Sequence, residues 1–198
     1  MTGVRTREVI VAAADELFYR RGFEHTSFAV IAERVGISRG NFYHHFRSKD
    51  EIMAAVIEAR QAATREMITD WEAQETTPLG RVGCFVRIVI TNGALIRQFG
   101  CPVGTLTSEL AKLDHPCQGR ARGVFDTFRW WLVDQFAALG HDRERADEFA
   151  MHVLAFSQGV ATMFNAFGDE GFVEREVERM NQWLAECAQP AGDGVRSA

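Results

Sequence analysis

Lysine is nearly absent from this chain: Lys49 and Lys112 are the two lysines among 22 Lys and Arg residues. Codon usage produces such a bias as readily as chemistry does. Cysteine is sparse as well. Cys84, Cys101, Cys117 and Cys187 stand far apart without a C-x-x-C pair, which argues against a zinc site or a disulfide framework and leaves four thiols expected to be reduced. No apolar run approaches the length of a membrane helix, and residues 1–20 are charged and amphipathic, unlike a signal peptide. No membrane partner is expected, and the location read from this is the cytoplasm. A glycine-rich phosphate loop, G-x-S-x-G and H-E-x-x-H are all missing. His44 and His45 are adjacent and point apart on a helix, and Asp114-His115-Pro116-Cys117 is a lone loop cluster, so neither catalysis, a metal nor a cofactor is expected. No stretch alternates as a strand would, and internal repeats are lacking.

What remains is a chain punctuated as helices. Its 198 residues, 46% hydrophobic and 25% charged, suffice for one large or two modest cores. The formal charge of −5 is unevenly divided: residues 1–50 carry eight Lys/Arg against six Asp/Glu, or +2, and the rest fourteen against twenty-one, or −7. A basic head and an acidic body would orient the molecule on a polyanion, although scatter at these small counts gives as much. A first helix from Arg5 to Arg21 puts Val9, Ile10, Ala13, Ala14, Leu17 and Phe18 on one side and stops at Gly22. A long helix runs from Ser48 to about Gln74, ended by Thr76-Thr77-Pro78. Further helices are expected over 79–98, 103–113, 116–139, 143–167 and 172–188, separated by proline and glycine loops.

Residues 25–51 carry the most information. Thr26 or Ser27 can cap a helix whose Phe28, Ile31, Ala32 and Val35 recur at helical spacing. Gly36 ends it, Ile37 tucks under the turn and Ser38 caps the next helix, the pattern of a helix-turn-helix. Phe42 and Phe46 anchor that second helix, which leaves Arg39, Gly40, Asn41, Tyr43, His44 and His45 outside. Arginine pairs with guanine and asparagine with adenine in the major groove, while Tyr and His at the flanks suit phosphate. Gly40 lets the backbone press against a base edge. Ser48 and Glu51 form a capping box, and Lys49 adds positive charge where a phosphate binds well.

The run from Gly22 to Glu51, with Gly22-Phe23, Thr26-Ser27, Ile31-Ala32, Gly36, Ser38, Tyr43, His45-Phe46 and Lys49 in order, resembles the N-terminal domain of the TetR family of bacterial transcriptional regulators. It covers about the first quarter of the chain. The resemblance implies an all-α fold of about nine helices. Residues 1–48 would form a three-helix helix-turn-helix head, 49–188 an effector-binding and dimerisation body, and 189–198 a disordered tail. DNA contacts are then expected from Thr26, Ser27, Ser38, Arg39, Gly40, Asn41, Tyr43, His44, His45 and Lys49. Residues Phe99 to Leu110 resemble the segment opening the sixth helix of the drug- and flavonoid-responsive, LmrA/YxaF-like subset, which implies a small hydrophobic, aromatic effector.

A head of this size reads too few base pairs for genomic specificity, so a homodimer is expected. The last two helices are richer in apolar residues than one stripe needs: Val153, Phe156, Val160, Phe164, Phe167, Val177, Met180, Trp183 and Leu184 are the expected dimer contacts, with Gly159 allowing close approach. Phe85, Ile88, Asn92, Phe99, Cys101, Thr105, Leu106, Glu109, Phe128, Trp131, His152, Phe156 and Met163 mix aromatic and polar groups as a ligand pocket does, although core packing is the ordinary role of each aromatic alone. Cys101, just before a helix start, supports an alternative in which a thiol senses oxidants or electrophiles. The expected function is an effector-responsive regulator, a repressor by the family's usual sign, binding a palindromic double-stranded DNA operator. A DNA-binding protein without an effector is the other alternative.

Overall fold

Every regular element among the described residues is an α-helix. The structure, a computed structural model, describes residues 3–187, with side chains from residue 5; the tail expected at 189–198 lies outside the described residues. In chain order the helices are α1 (Gly3–Arg21), α2 (Phe28–Val35), α3 (Arg39–His45), α4 (Lys49–Gln74), α5 (Pro78–Val86), α6 (Ile88–Thr91), α7 (Gly93–Phe99), α8 (Pro102–Lys112), α9 (Gln118–Ala138), α10 (Arg143–Phe167) and α11 (Glu170–Cys187).

One expected helix, 79–98, is three. The β-branched run Val89-Ile90-Thr91 propagates a helix poorly, and the chain breaks on either side of it, at Arg87 (φ −74°, ψ −8°) and Asn92 (φ −97°, ψ 15°). Counted as one rod, α5–α7 bring the total back to nine. Elsewhere the boundaries follow chemistry. Asp142 accepts the Arg145 amide at 2.9 Å and starts α10, and Gly168 ends it at φ 67°. Asp169 accepts the Phe172 amide at 3.0 Å, which starts α11 two residues before the expected Phe172.

The chain packs as two compact units, Met1–Glu66 with Cys101–Thr127 and Met67–Gly100 with Phe128–Ala198. The expected boundary at 48/49 separates functions, whereas this division groups the head with the first part of α4, with α8 and with the start of α9. In the first unit, the buried stripe of α1 is Thr6, Ile10, Val11, Ala14, Leu17 and Phe18. Val9, expected on that stripe, is exposed, and Ala13 is half-buried. The stripe centres on Ile10, Ala14 and Leu17 at i, i+4 and i+7, which rotates Val9 outward. Ile31, Phe42, Phe46, Ile52 and Val56 complete the core behind the helix-turn-helix. In the second unit, Phe85, Phe128 and Trp131 are buried with Leu132, Phe136, Val153, Val160, Phe164, Val177 and Leu184.

Candidate nucleic-acid interface and ligand-binding surfaces

The helix-turn-helix is built locally as its sequence dictates. Ser27 caps α2 by accepting the Val30 amide at 3.4 Å. Gly36 ends α2 at φ 72°, a left-handed backbone that a Cβ would strain, and the Ile37 amide returns to the Ala32 carbonyl at 3.1 Å. Ser38 caps α3 by accepting the Asn41 amide at 3.3 Å. Phe42 and Phe46 are buried, with ring centroids 6.4 Å apart, and Phe28 packs on Phe42 at 5.1 Å and on Tyr43 at 5.6 Å. These anchors leave Arg39, Gly40, Asn41, Tyr43 and His44 exposed on one short helix, with His45 half-buried. Nothing lies within 4 Å of the position a Gly40 Cβ would take. The box at α4 is offset by one residue: Ser48 accepts the Glu51 amide at 3.1 Å, while Glu51 Oε2 accepts the Arg47 amide at 2.7 Å.

Two expected DNA contacts need correction. Thr26 is fully buried, and its hydroxyl donates to the Gly22 carbonyl at 2.8 Å. It fastens the turn after α1 and is not a surface group. Lys49 is spoken for within the protein: its Nζ donates to the Phe23 carbonyl at 2.9 Å and sits 4.0 Å above the Phe23 ring. About a quarter of its side chain, 26%, stays exposed.

The expected ligand residues are divided between the two units. Cys101, Thr105, Leu106 and Glu109 belong to the first unit, and the others to the second. Phe85, Phe128 and Trp131 do come together, but around Trp71, a residue the sequence reading passed over: Trp71 stacks on Phe128 at 6.3 Å and meets Phe85 at 6.3 Å and Trp131 at 5.5 Å. Glu72 accepts the Trp131 indole N–H at 2.9 Å. The signal for Trp71 was its place one turn after Ile68, itself buried, on a helix read only as a connector. Ile88, Phe99 and Phe156 are half-buried, whereas Asn92, His152 and Met163 face solvent. A groove the sequence did not announce lies in this unit, about 580 Å³, lined by Val89, Ile90, Gly93, Ala94, Arg97, Gln98, Phe164, Glu170, Val173 and Glu174.

The expected dimer residues need the larger correction. Val153, Val160, Phe164, Val177, Met180 and Leu184 lie in the core of their own chain, and Phe156 and Trp183 are half-buried; Phe167 alone of the set is exposed, at 77%. The richest apolar stripe of α10 and α11 serves the unit's own core. Among the residues α10 leaves outward, Met151, Ala155, Gly159, Met163 and Phe167 follow one another at i, i+4 spacing, with nothing within 4 Å of a Gly159 Cβ.

Charges reinforce packing. Arg129 grips Asp147 with both arms, Nε–Oδ1 2.6 Å and Nη2–Oδ2 2.5 Å, and this hydrogen bonding holds the Asp147 carboxyl below the ordinary aspartate value. Burial pushes the Cys117 and Cys187 thiols up, which disfavours the thiolate. Cys101 is half-buried and caps α8, its Sγ 3.5 Å from the Gly104 amide.

Known proteins agree with this architecture. Residues 10–56 match the model of bacterial regulatory proteins of the tetR family, and residues 86–175 that of the C-terminal domain of LmrA/YxaF-like transcriptional regulators. The HTH-type transcriptional regulator LmrA of Bacillus subtilis (strain 168) is 23% identical over 156 residues, 78% of this chain and 83% of that protein. A Lactococcus lactis subsp. lactis HTH-type regulator in the lacX 3′ region is 26% identical over 136 residues, 68% of this chain and 69% of that one. Among solved structures, SCO4454, a TetR-family transcriptional regulator from Streptomyces coelicolor, shares the fold with a TM-score of 0.80 at 18% identity, over 94% of this chain and 97% of that one. The two matched segments together take in the reading head and most of the body, and their members are transcriptional regulators, not enzymes: the chain belongs to the TetR family of helix-turn-helix transcriptional regulators.

Proposed function

We propose that this regulator is a cytoplasmic repressor that binds a palindromic operator as a homodimer and lets go when a small hydrophobic, aromatic molecule occupies its body. The observation that carries the DNA reading is the outer face of α3, where Arg39, Gly40, Asn41, Tyr43 and His44 stand exposed on a helix anchored by Phe42 and Phe46. Arg39 and Asn41 read base edges. Ser27, Ser38, Tyr43, His44 and His45 hold phosphates. A solvent-facing glycine in a helix has no packing reason here, which supports close approach of the Gly40 backbone to DNA.

The homodimer reading rests on the outward face of α10. A row of Met151, Ala155, Gly159, Met163 and Phe167 suits a second copy related by a two-fold axis, the symmetry that a palindrome mirrors. The groove lined by α6, α7, α10 and α11 is the site assigned to the hydrophobic effector, with Arg97, Glu170 and Glu174 at its polar edge. The thiol alternative rests on Cys101, the N-cap residue of α8.

Fluorescence anisotropy on DNA upstream of the gene, titrated with salt and then with aromatic compounds and a thiol oxidant, tests all three readings. Specific binding that falls steeply with salt and is reversed by an aromatic ligand is expected. Release by oxidant alone moves the sensor to Cys101, and specific binding that nothing reverses leaves a regulator without an effector.

A further inference from the structure

The first unit holds a separate, smaller hollow among α1, α4 and α8, about 170 Å³ in volume. Its walls are apolar at Phe18 and Leu106 and polar at Tyr19, Arg60 and Glu109. A cavity of about 150 Å³ takes up benzene, so this one has room for a single ring with a short substituent.

Its charge is set by Glu109. Oε1 accepts the Phe23 amide at 2.7 Å and the Glu24 amide at 3.3 Å, and Oε2 takes no hydrogen bond from the described residues. Arg60 does not cancel this carboxylate. Its guanidinium is already held by Asp15 Oδ1, at 2.7 Å from Nε and 2.6 Å from Nη2, and by the Pro102 carbonyl. Asp15, Arg60 and Glu109 together therefore leave one negative charge at the hollow. Tyr19 adds none, because burial pushes its phenol up to about 12.

We propose that this hollow binds a small ring-bearing cation, an amine or amidine, through Glu109 Oε2, and that its binding loosens the hold of Glu109 on the Phe23–Glu24 turn. The proposal rests on the DNA-binding reading above and adds a second ligand class and a route to the head. The turn is tightly set. Gly22 stands at φ +83°, and a Cβ there would come within 2.9 Å of Glu109 Oε1. Phe23 in turn carries the Lys49 ammonium on its ring and packs against His115 at 4.8 Å. A carboxylate that swings toward a bound cation withdraws from two amides, and the turn that leads from α1 into the helix-turn-helix loses its tether. Linkage makes the effect reciprocal: a head held on DNA would bind the cation more weakly by the same factor.

Calorimetric titration of the full chain with benzamidine, and with neutral benzamide as its match, tests the site directly. Benzamidine is expected to bind at least about tenfold more tightly than benzamide, and to weaken by a similar factor in Glu109→Gln, where a charge-assisted bond becomes neutral. Thr105→Trp, which fills the exposed rim one helical turn from Glu109, is expected to abolish binding. Anisotropy on operator DNA is expected to show lowered affinity with benzamidine for the wild type and no change for Thr105→Trp. Equal binding of the two probes, binding untouched by Thr105→Trp, or operator affinity unmoved at saturating benzamidine would each overturn the proposal. Operator binding by the ligand-free protein is read in the same titration, so its absence counts against the DNA-binding reading instead.

Discussion

Gly40 lies two residues into a seven-residue helix, with open space where a side chain would go. Such a glycine costs the fold up to about 1 kcal/mol relative to alanine, less in a first turn. Gly40→Ala is therefore expected to raise the urea midpoint slightly while lowering operator affinity; a gain or no change in affinity would remove close backbone approach from the account. Thr26 makes the opposite case. Thr26→Val keeps the shape but leaves the half-buried Gly22 carbonyl without its hydroxyl partner, at a cost of about 1 kcal/mol in urea denaturation. Operator affinity of the folded protein should hold, whereas a direct DNA contact would reverse that order. These two residues mark the limits of reading a sequence. Ser27, Ser38, Gly36 and Phe42 were legible because caps, turns and stripes are local. Thr26 and Lys49 share the motif's spacing with the DNA contacts, and only packing against Gly22 and Phe23 separates the roles.

At the scale of elements, helix periodicity located the rods but not their partners. Val153, Val160, Phe164, Met180 and Leu184 were visible as an apolar surplus on α10 and α11, yet nothing in a period of 3.6 tells whether a stripe faces its own core or a second chain. The same limit hid the nest around Trp71, since its members come from three separate helices, α4, α5 and α9. The Arg129–Asp147 pair joins α9 to α10 and yields a pH signature. Because the folded Asp147 value lies below 3.8, the pair's contribution is present above that pH and is lost as pH falls through the depressed value. Acid unfolding of Asp147→Asn, followed by circular dichroism, should therefore show a shallower loss of stability below about pH 4 than the wild type. An identical acid limb would assign the shift to exposed charge with no bearing on folding.

For the whole molecule, the outward face of α10 makes a clear demand. Met163→Glu with Phe167→Glu places charge on that face without entering the core, so each chain should fold and yet sediment as a monomer. Operator affinity should then fall by at least about a hundredfold, as a second half-site is lost. A dimer that survives both changes would move the interface elsewhere.

The broken rod α5–α7 has one more consequence. Segments of nine, four and seven residues are too short to stay helical on their own, so their persistence is lent by the neighbours they pack on. Six of the residues that wall the 580 Å³ groove sit on α6 and α7. Their amides should exchange with deuterium well before those of the 26-residue α4, and a ligand filling the groove would register first as slowed exchange along residues 88–99, a change in local opening that needs no shift in the average position of any atom.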